Sequence, residues 1–359
     1  MNKVLIICSN FLPISSGGTI RCEKLIKYLP LYDWKSVVLT KKNSKTKSSF
    51  DIINDTNIYR SRKFDLTCYF LKIKVTLSNF FFRIKKTNNT IVTQTIDNTT
   101  PVVKRRLSEY FLLPDADIFW ALGAVLKART VVRNENPKVI LSTGPNHSVH
   151  IVGFFLKQFF GRYWVVEFRD PWSMNPFRIE KPYKFLSYLD NYLEKIVLKN
   201  ADAINVTSVE YKTQFLEKYN FLDSDKFFNI SNGFDPEDFN LDSNTTNEVL
   251  TIVHSGNFYS HRSSVQFIQA VLYLLKNNHL NENEFLIKFI GVLDEEGMEI
   301  IKNSKYKKCF LLFGNVNHQK SIKEIKSADI LLLIPGPGIG TMPGKFYEYL
   351  AAEKPIFCI

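Results

Sequence analysis

Short apolar runs rich in β-branched residues alternate along the chain with longer stretches whose apolar positions recur at helical spacing. This switch of period is the pattern of parallel βαβ units. It predicts strands over Val4–Cys8, Ser36–Leu39, Val139–Ser142, Tyr163–Phe168 and Ala203–Val206, with helices over Ile20–Leu29, about Val149–Phe160 and Leu186–Leu198. The strands are continuously apolar, so the sheet they form should be covered on both faces. A polar stretch without periodicity, 236–248, separates this set from a second one, with strands at Leu250–His254, Phe285–Ile290, Cys309–Phe313, Ile330–Ile334 and Pro355–Ile359. The expected fold is α/β: two doubly wound, Rossmann-like domains, 1–235 and 249–359, joined by a linker. The sequence stops at Ile359, within or just after a predicted strand, which predicts a second domain lacking its last helices.

The segment 41–113 fits this pattern poorly. It carries Lys41, Lys42, Lys45 and Lys47, then Tyr69, Phe70, Phe80, Phe81 and Phe82 interleaved with Lys72, Lys74, Arg83, Lys85 and Lys86. Cations beside exposed rings suit an anionic membrane face; the plain alternative is that the rings are core. No apolar stretch reaches the roughly 18 residues that span a bilayer. The N-terminal MNKVLIICSN resembles a leader only superficially, because Phe11, Pro13 and paired glycines follow without a small-residue cleavage site. The expectation is a cytoplasmic protein, at most peripheral on the inner face of the membrane.

At 359 residues, 45% hydrophobic and 23% charged, the chain has the composition of two packed domains. Five scattered cysteines without CxxC spacing argue against a disulfide framework or a zinc site. The net charge of +12 is one-sided: residues 1–134 hold 23 Lys and Arg against 9 Asp and Glu. Such asymmetry favours nucleic acid, an anionic membrane or phosphorylated substrates as partners, or serves solubility alone. No recognised RNA- or DNA-binding module accompanies it, so no nucleic-acid partner is expected.

Glycines concentrate where strands hand over to helices. Gly17 and Gly18 follow the first strand; Gly336, Gly338, Gly340 and Gly344 follow the strand at 330–334. Glycine lets the backbone approach a ligand closely, and free N–H groups at a helix start favour an anion. The second loop is not a Walker A motif, because the position five before Gly344 is Ile339 and Lys345 is followed by Phe346. What it offers is backbone donors and Lys345 for a phosphate, with Glu348 one helical turn later. A carboxylate so near a phosphate site is costly unless it accepts hydrogen bonds from hydroxyls such as those of a ribose.

Five stretches, in order, resemble the retaining glycosyltransferases of family 4, which have the GT-B fold. They are Phe11, Pro13, Gly17, Gly18 and Arg21; Phe168–Trp172; Ile230–Asp235; His254–Arg262; and Pro343–Leu350. The resemblance covers essentially the whole chain and implies a nucleoside-diphosphate sugar bound in a cleft facing both domains, chiefly by the second. It implies a donor set of Gly17, Gly18, Gly256, Asn257, Arg262, Val316, Thr341, Met342, Lys345 and Glu348, and no separate cofactor. Arg262 stands where the family usually has a Lys, and Asn257 where it has an Arg. Glu348 matches the second Glu of the family's E-x7-E motif, while the first falls on Gly340. The acceptor, a lipid-linked or growing surface polysaccharide, is expected on the first domain beside His147, Arg169 and Asp170, at strand carboxyl ends. Asn146 and His150 lie in the same stretch, and Arg169 with Asp170 could equally be a structural pair. Transfer with retention by front-side attack requires no protein nucleophile.

Asp115 and Asp117 spell DxD, which binds a divalent metal in another class of glycosyltransferases. Before the helical run Ile118–Val131, capping explains them more simply, so no metal is expected. The alternative to an enzyme is a non-catalytic relative that binds a nucleotide sugar or a partner subunit. Loss of the first motif Glu and of the loop Arg favours it; Glu348, Lys345, Arg262, Gly17 and Gly18 favour activity.

Overall fold

The computed structural model describes residues 1–13, 17–43, 50–53, 55–62, 112–175, 183–240, 247–258, 262–336 and 342–359. They form two compact units: one built mainly from Met1–Met174 with stretches reaching Asn205 and Tyr219–Phe228, the other from Asn229–Ile359 with Val206–Lys218.

The first unit is organised on β1 (Asn2–Ile7), which pairs in parallel with β2 (Trp34–Lys41) on one side and β5 (Val139–Thr143) on the other. Beyond β2 lie β4 (Thr56–Ser61) and the antiparallel β3 (Phe50–Ile53). Beyond β5 lie β6 (Tyr163–Phe168), β7 (Ala203–Val206) and β8 (Phe227–Asn229). The chain thus winds one way from β1 and then the other, and the reversal falls between β1 and β5. Helices α1 (Gly17–Tyr28), α2 (Ile118–Glu135), α3 (Ser148–Phe160) and α4 (Lys184–Asn200) complete the alternation, while α5 (Val209–Lys218), which follows β7, groups with the second unit. Val4, Ile6, Val38 and Ile58 pack against Cys22 and Ile26 of α1. Gly153 of α3 leaves room for the Trp164 indole of β6, which would collide with any Cβ at 153.

The second unit repeats the scheme. Its sheet runs β11 (Phe310–Gly314), β10 (Phe285–Ile290), β9 (Leu250–Ser255), β12 (Ile330–Leu333), β13 (Ile356–Cys358), with each neighbouring pair parallel. Alternate side chains serve opposite faces, as the two-residue period requires. Ile287, Phe289 and Leu332 pack with α6 (Val265–Lys276) and Ile301 of α7 (Glu295–Asn303). Val253, Ile290, Leu331 and Leu333 pack with α8 (His318–Lys326) and Tyr349 of α9 (Gly344–Ala351). Here the winding reverses between β9 and β12.

Three sequence expectations change. The poorly fitting segment 41–113 contains a sheet strand, β4, whose polar sequence TNIYRS hid it. Its polar side chains answer a buried carboxylate: Asn57 Nδ2 and Tyr59 Oη donate to Glu135 Oε1 at 2.7 and 2.6 Å, and Lys3 Nζ pairs with Oε2 at 2.8 Å. Lys41 is likewise no membrane cation, since its ammonium lies 2.8 Å from both Asp117 oxygens. Residues 44–49 and 63–111, with the Tyr69–Phe82 aromatics, lie outside the described residues. Finally, Asp117 stands at the start of α2 without capping it; Asp115 caps α3 instead, accepting from Ser148 N at 2.9 Å and Ser148 Oγ at 2.7 Å. Asp117 is held by Lys41 and by Asn146 Nδ2 at 2.6 Å.

Candidate functional site

Open α/β sheets bind ligands beyond the carboxyl ends of their strands, where the winding reverses. In the second unit that point is marked by a set of buried hydrogen bonds between β9 and β12. His254 at the end of β9 lies with Nδ1 3.0 Å from the Leu332 carbonyl, which can only accept, so Nδ1 carries the proton. Tyr349 Oη accepts from Ser255 N at 2.7 Å and donates to Leu332 O at 3.3 Å. Burial above all, then the positive charges of Arg262 and Lys345, push the His254 pKa down to about 4, against the pull of the Leu332 carbonyl. The charges of two cations, Arg262 and Lys345, thus both reach His254 near the end of β9.

Lys345, in the first turn of α9, bonds Ser321 Oγ at 3.2 Å and Glu348 Oε2 at 2.6 Å. Ser321 in turn meets Ser255 Oγ at 2.8 Å, which ties α8 to the strand end. The other carboxylate oxygen, Oε1, lies 3.3 Å from His318 Nε2. His318 opens α8, which Asn317 caps through Lys320 N at 2.8 Å, and its Nδ1 lies 3.7 Å from Asp238. Burial pushes the Glu348 carboxyl up, but the His318 hydrogen bond and the Lys345 charge outweigh it and hold the group below the usual carboxylate value. Glu348 is thus an ionised, oriented acceptor one turn from a cation, which is the arrangement suited to a sugar hydroxyl beside a phosphate.

Of the sequence-predicted residues here, Lys345 and Glu348 are in direct contact, and the Arg262 charge acts on His254, two residues before Gly256. Asn257 has its side-chain oxygen committed to Val292 N at 2.8 Å, joining the loops after β9 and β10. Gly291, at φ +119°, is required by that junction, because a Cβ would strike the Gly256 carbonyl. Val316 packs with the core beneath α8 and α9, Met342 is half exposed, and Thr341 lies outside the described residues. Sequence reasoning missed His318, Ser321 and Tyr349; a histidine just after a helix-capping Asn was the only available signal.

In the first unit the reversal between β1 and β5 gathers a different set around Glu167, the penultimate residue of β6. Its carboxylate accepts from Arg21 Nη2 at 2.9 Å, Thr143 Oγ1 at 2.6 Å and Asn205 Nδ2 at 2.8 Å. Burial would raise its pKa, but Arg21, Thr143 and the Arg169 charge prevail and keep it ionised. Arg169 Nε bonds the Gly144 carbonyl, and its guanidinium fills the space a side chain at Gly18 would need. The paired glycines therefore open α1 and admit Arg169. Glu167 was legible in principle, as a lone carboxylate ending an apolar strand.

His147 lies 5.0 Å from Trp172 with ring planes 4° apart, and only 7% of it is exposed. His150 is fully buried, which pushes its pKa down to about 3. Ser142 Oγ accepts from Trp164 Nε1 at 2.9 Å and lies 2.9 Å from His150 Nδ1. His150 Nε2 has no hydrogen-bond partner among the described residues. Asp170 follows in the loop after β6.

No family model and no curated protein matches the sequence. Solved structures do. Sucrose-phosphate synthase from Thermosynechococcus elongatus superposes with a TM-score of 0.63 at 13% identity, over 100% of this chain and 81% of its own. Alr3699/HepE of Anabaena, in complex with UDP-glucose, gives 0.60 at 11%, over 99% and 80%. WaaG, a glycosyltransferase involved in lipopolysaccharide biosynthesis, gives 0.59 at 10%, over 99% and 80%. With two α/β units, each wound both ways from its first strand, and similarity along the whole chain, the protein has the GT-B fold.

Proposed function

We propose that the protein is a glycosyltransferase that takes a sugar from a nucleoside-diphosphate donor held by the second unit. The observation that carries this reading is the Lys345–Glu348 pair at the β9–β12 reversal, where the charges of Lys345 and Arg262 both act on His254. Lys345 and Arg262 supply two positive charges for a diphosphate, and Glu348 accepts from ribose hydroxyls. In a site shielded from water such charges stabilise the leaving diphosphate far more than they would in bulk solvent. The UDP-glucose complex of HepE and the glycosyltransferase role of WaaG support the same class of donor and reaction.

The acceptor is assigned to the first unit, around His147, Arg169 and Asp170, and is a lipid-linked or growing surface glycan. As the bond from the anomeric carbon to the diphosphate breaks, the acceptor oxygen takes its place on the same face. Its proton passes to the departing phosphate oxygen, so configuration is retained without a protein nucleophile. The two cations at β9 carry the charge that a metal carries elsewhere, so the proposed transfer is metal-independent.

The test is incubation with a panel of labelled sugar nucleotides and membrane lipid. Release of nucleoside diphosphate with label entering the lipid fraction supports transfer; binding without release supports the non-catalytic alternative.

A further inference from the structure

Helix α4 is built inside out for a helix that faces water. Its two acidic residues, Asp190 and Glu194, point inward and are buried. Asp190 accepts from Trp172 Nε1 at 3.0 Å; Glu194 accepts from Ser173 N at 3.0 Å and Tyr219 Oη at 2.6 Å. The opposite face carries Phe185, Tyr188, Leu189 and Tyr192, exposed by 58, 70, 43 and 51%. Their spacing of i, i+3, i+4 and i+7 places them in one stripe about 100° wide. Tyr183, stacked on Phe185 at 5.9 Å, extends it. The only exposed charged residues of α4 are Lys184, Lys195 and Lys199, which run along one flank of the stripe, and Lys195 lies over the Phe221 ring.

An amphipathic helix normally turns such a stripe toward the core. Here a contiguous aromatic surface is left in solvent, with every carboxylate withdrawn and every remaining charge positive. We infer that the outer face of α4 is a docking surface for an anionic lipid bilayer. Phenol and phenyl rings settle at the headgroup level, and the lysines meet lipid phosphates while their stems lie along the apolar layer. Charge complementarity selects this occupant over a second copy of the chain, which is itself strongly basic. The inference does not depend on glycosyl transfer and rests on residues other than 41–113.

The test is co-sedimentation of the full chain with vesicles of phosphatidylcholine alone or with about 30% phosphatidylglycerol. The native protein should pellet with the anionic vesicles, less so as salt rises. Phe185→Ser/Tyr188→Ser/Tyr192→Ser should lower partitioning at least tenfold, and Lys184→Gln/Lys195→Gln/Lys199→Gln should lower it and flatten its salt dependence. Because the replaced side chains are exposed, both variants should melt like the native protein. Independently, Tyr192→Trp should gain emission quenched by brominated lipid. Unchanged partitioning of both variants overturns the inference, as does absence of quenching at position 192. A native dimer that the aromatic variant splits also overturns it, and shows a second copy as the occupant.

Discussion

The Lys345 ammonium lies 2.6 Å from a Glu348 oxygen on the same helix, three residues apart, while His318 holds the other oxygen at 3.3 Å. The carboxylate is thus fixed from two sides before any ligand arrives. Pre-organisation of this kind reduces the ordering required on binding.

Replacing Glu348 by Gln keeps the shape and removes the charge. Hydrogen bonds to a charged group contribute about 1.5–3 kcal/mol, so affinity for a sugar nucleotide should fall roughly 10–100-fold. Discrimination against the 2′-deoxy and 3′-deoxy nucleotides should shrink as well. Calorimetric titration of native and variant protein with both ligands reads this directly.

His318 acts through Glu348. His318→Ala should raise the Glu348 pKa, because it removes the first of the interactions that lower it. Donor KM in the variant should climb at a higher pH on acidification than in the native enzyme, with kcat at neutral pH little changed. His318→Asn, which can still donate, should restore most of the difference.

Stability should fall in mild acid. His150 and His254 are buried neutral, with pKa values pushed down to about 3 and about 4, whereas in the unfolded chain each titrates near the ordinary histidine value. Below pH of about 6.5 the unfolded state therefore binds more protons. The stabilisation is present above that value and is lost as pH falls toward each folded-state pKa. Urea melts between pH 7 and 4 should show a loss on the order of a few kcal/mol. His150→Phe should be less stable at pH 7 but less sensitive to acid.

Two glycines should separate packing from chemistry. Gly153→Ala drives a Cβ into the Trp164 indole and should cost about 1–3 kcal/mol of stability. Gly18→Ala displaces the Arg169 guanidinium and should impair turnover while shifting the melting temperature much less. Parallel melts and rate assays of the two variants test the contrast.

Strands such as Tyr163–Phe168 and Phe285–Ile290 were legible because each is apolar but for one charged residue, Glu167 or Lys288, and a near-continuous apolar run is what a sheet covered on both faces demands. β4 was not, since its Asn57 and Tyr59 side chains are explained by Glu135, 78 and 76 residues away in sequence. The site divides in the same way. Lys345 and Glu348 could be paired from helical spacing alone, whereas His318 and Ser321 reach them only through the packing of α8 on α9. Asp115 shows the limit most plainly: the helix it caps begins 33 residues later.

The most direct test of the central claim is a calorimetric titration with UDP-, GDP- and ADP-sugars, repeated on Lys345→Ala and Glu348→Gln. The account predicts that at least one donor binds the native protein and binds each variant at least tenfold more weakly. Binding by no donor, or equal affinity in all three proteins, would contradict it.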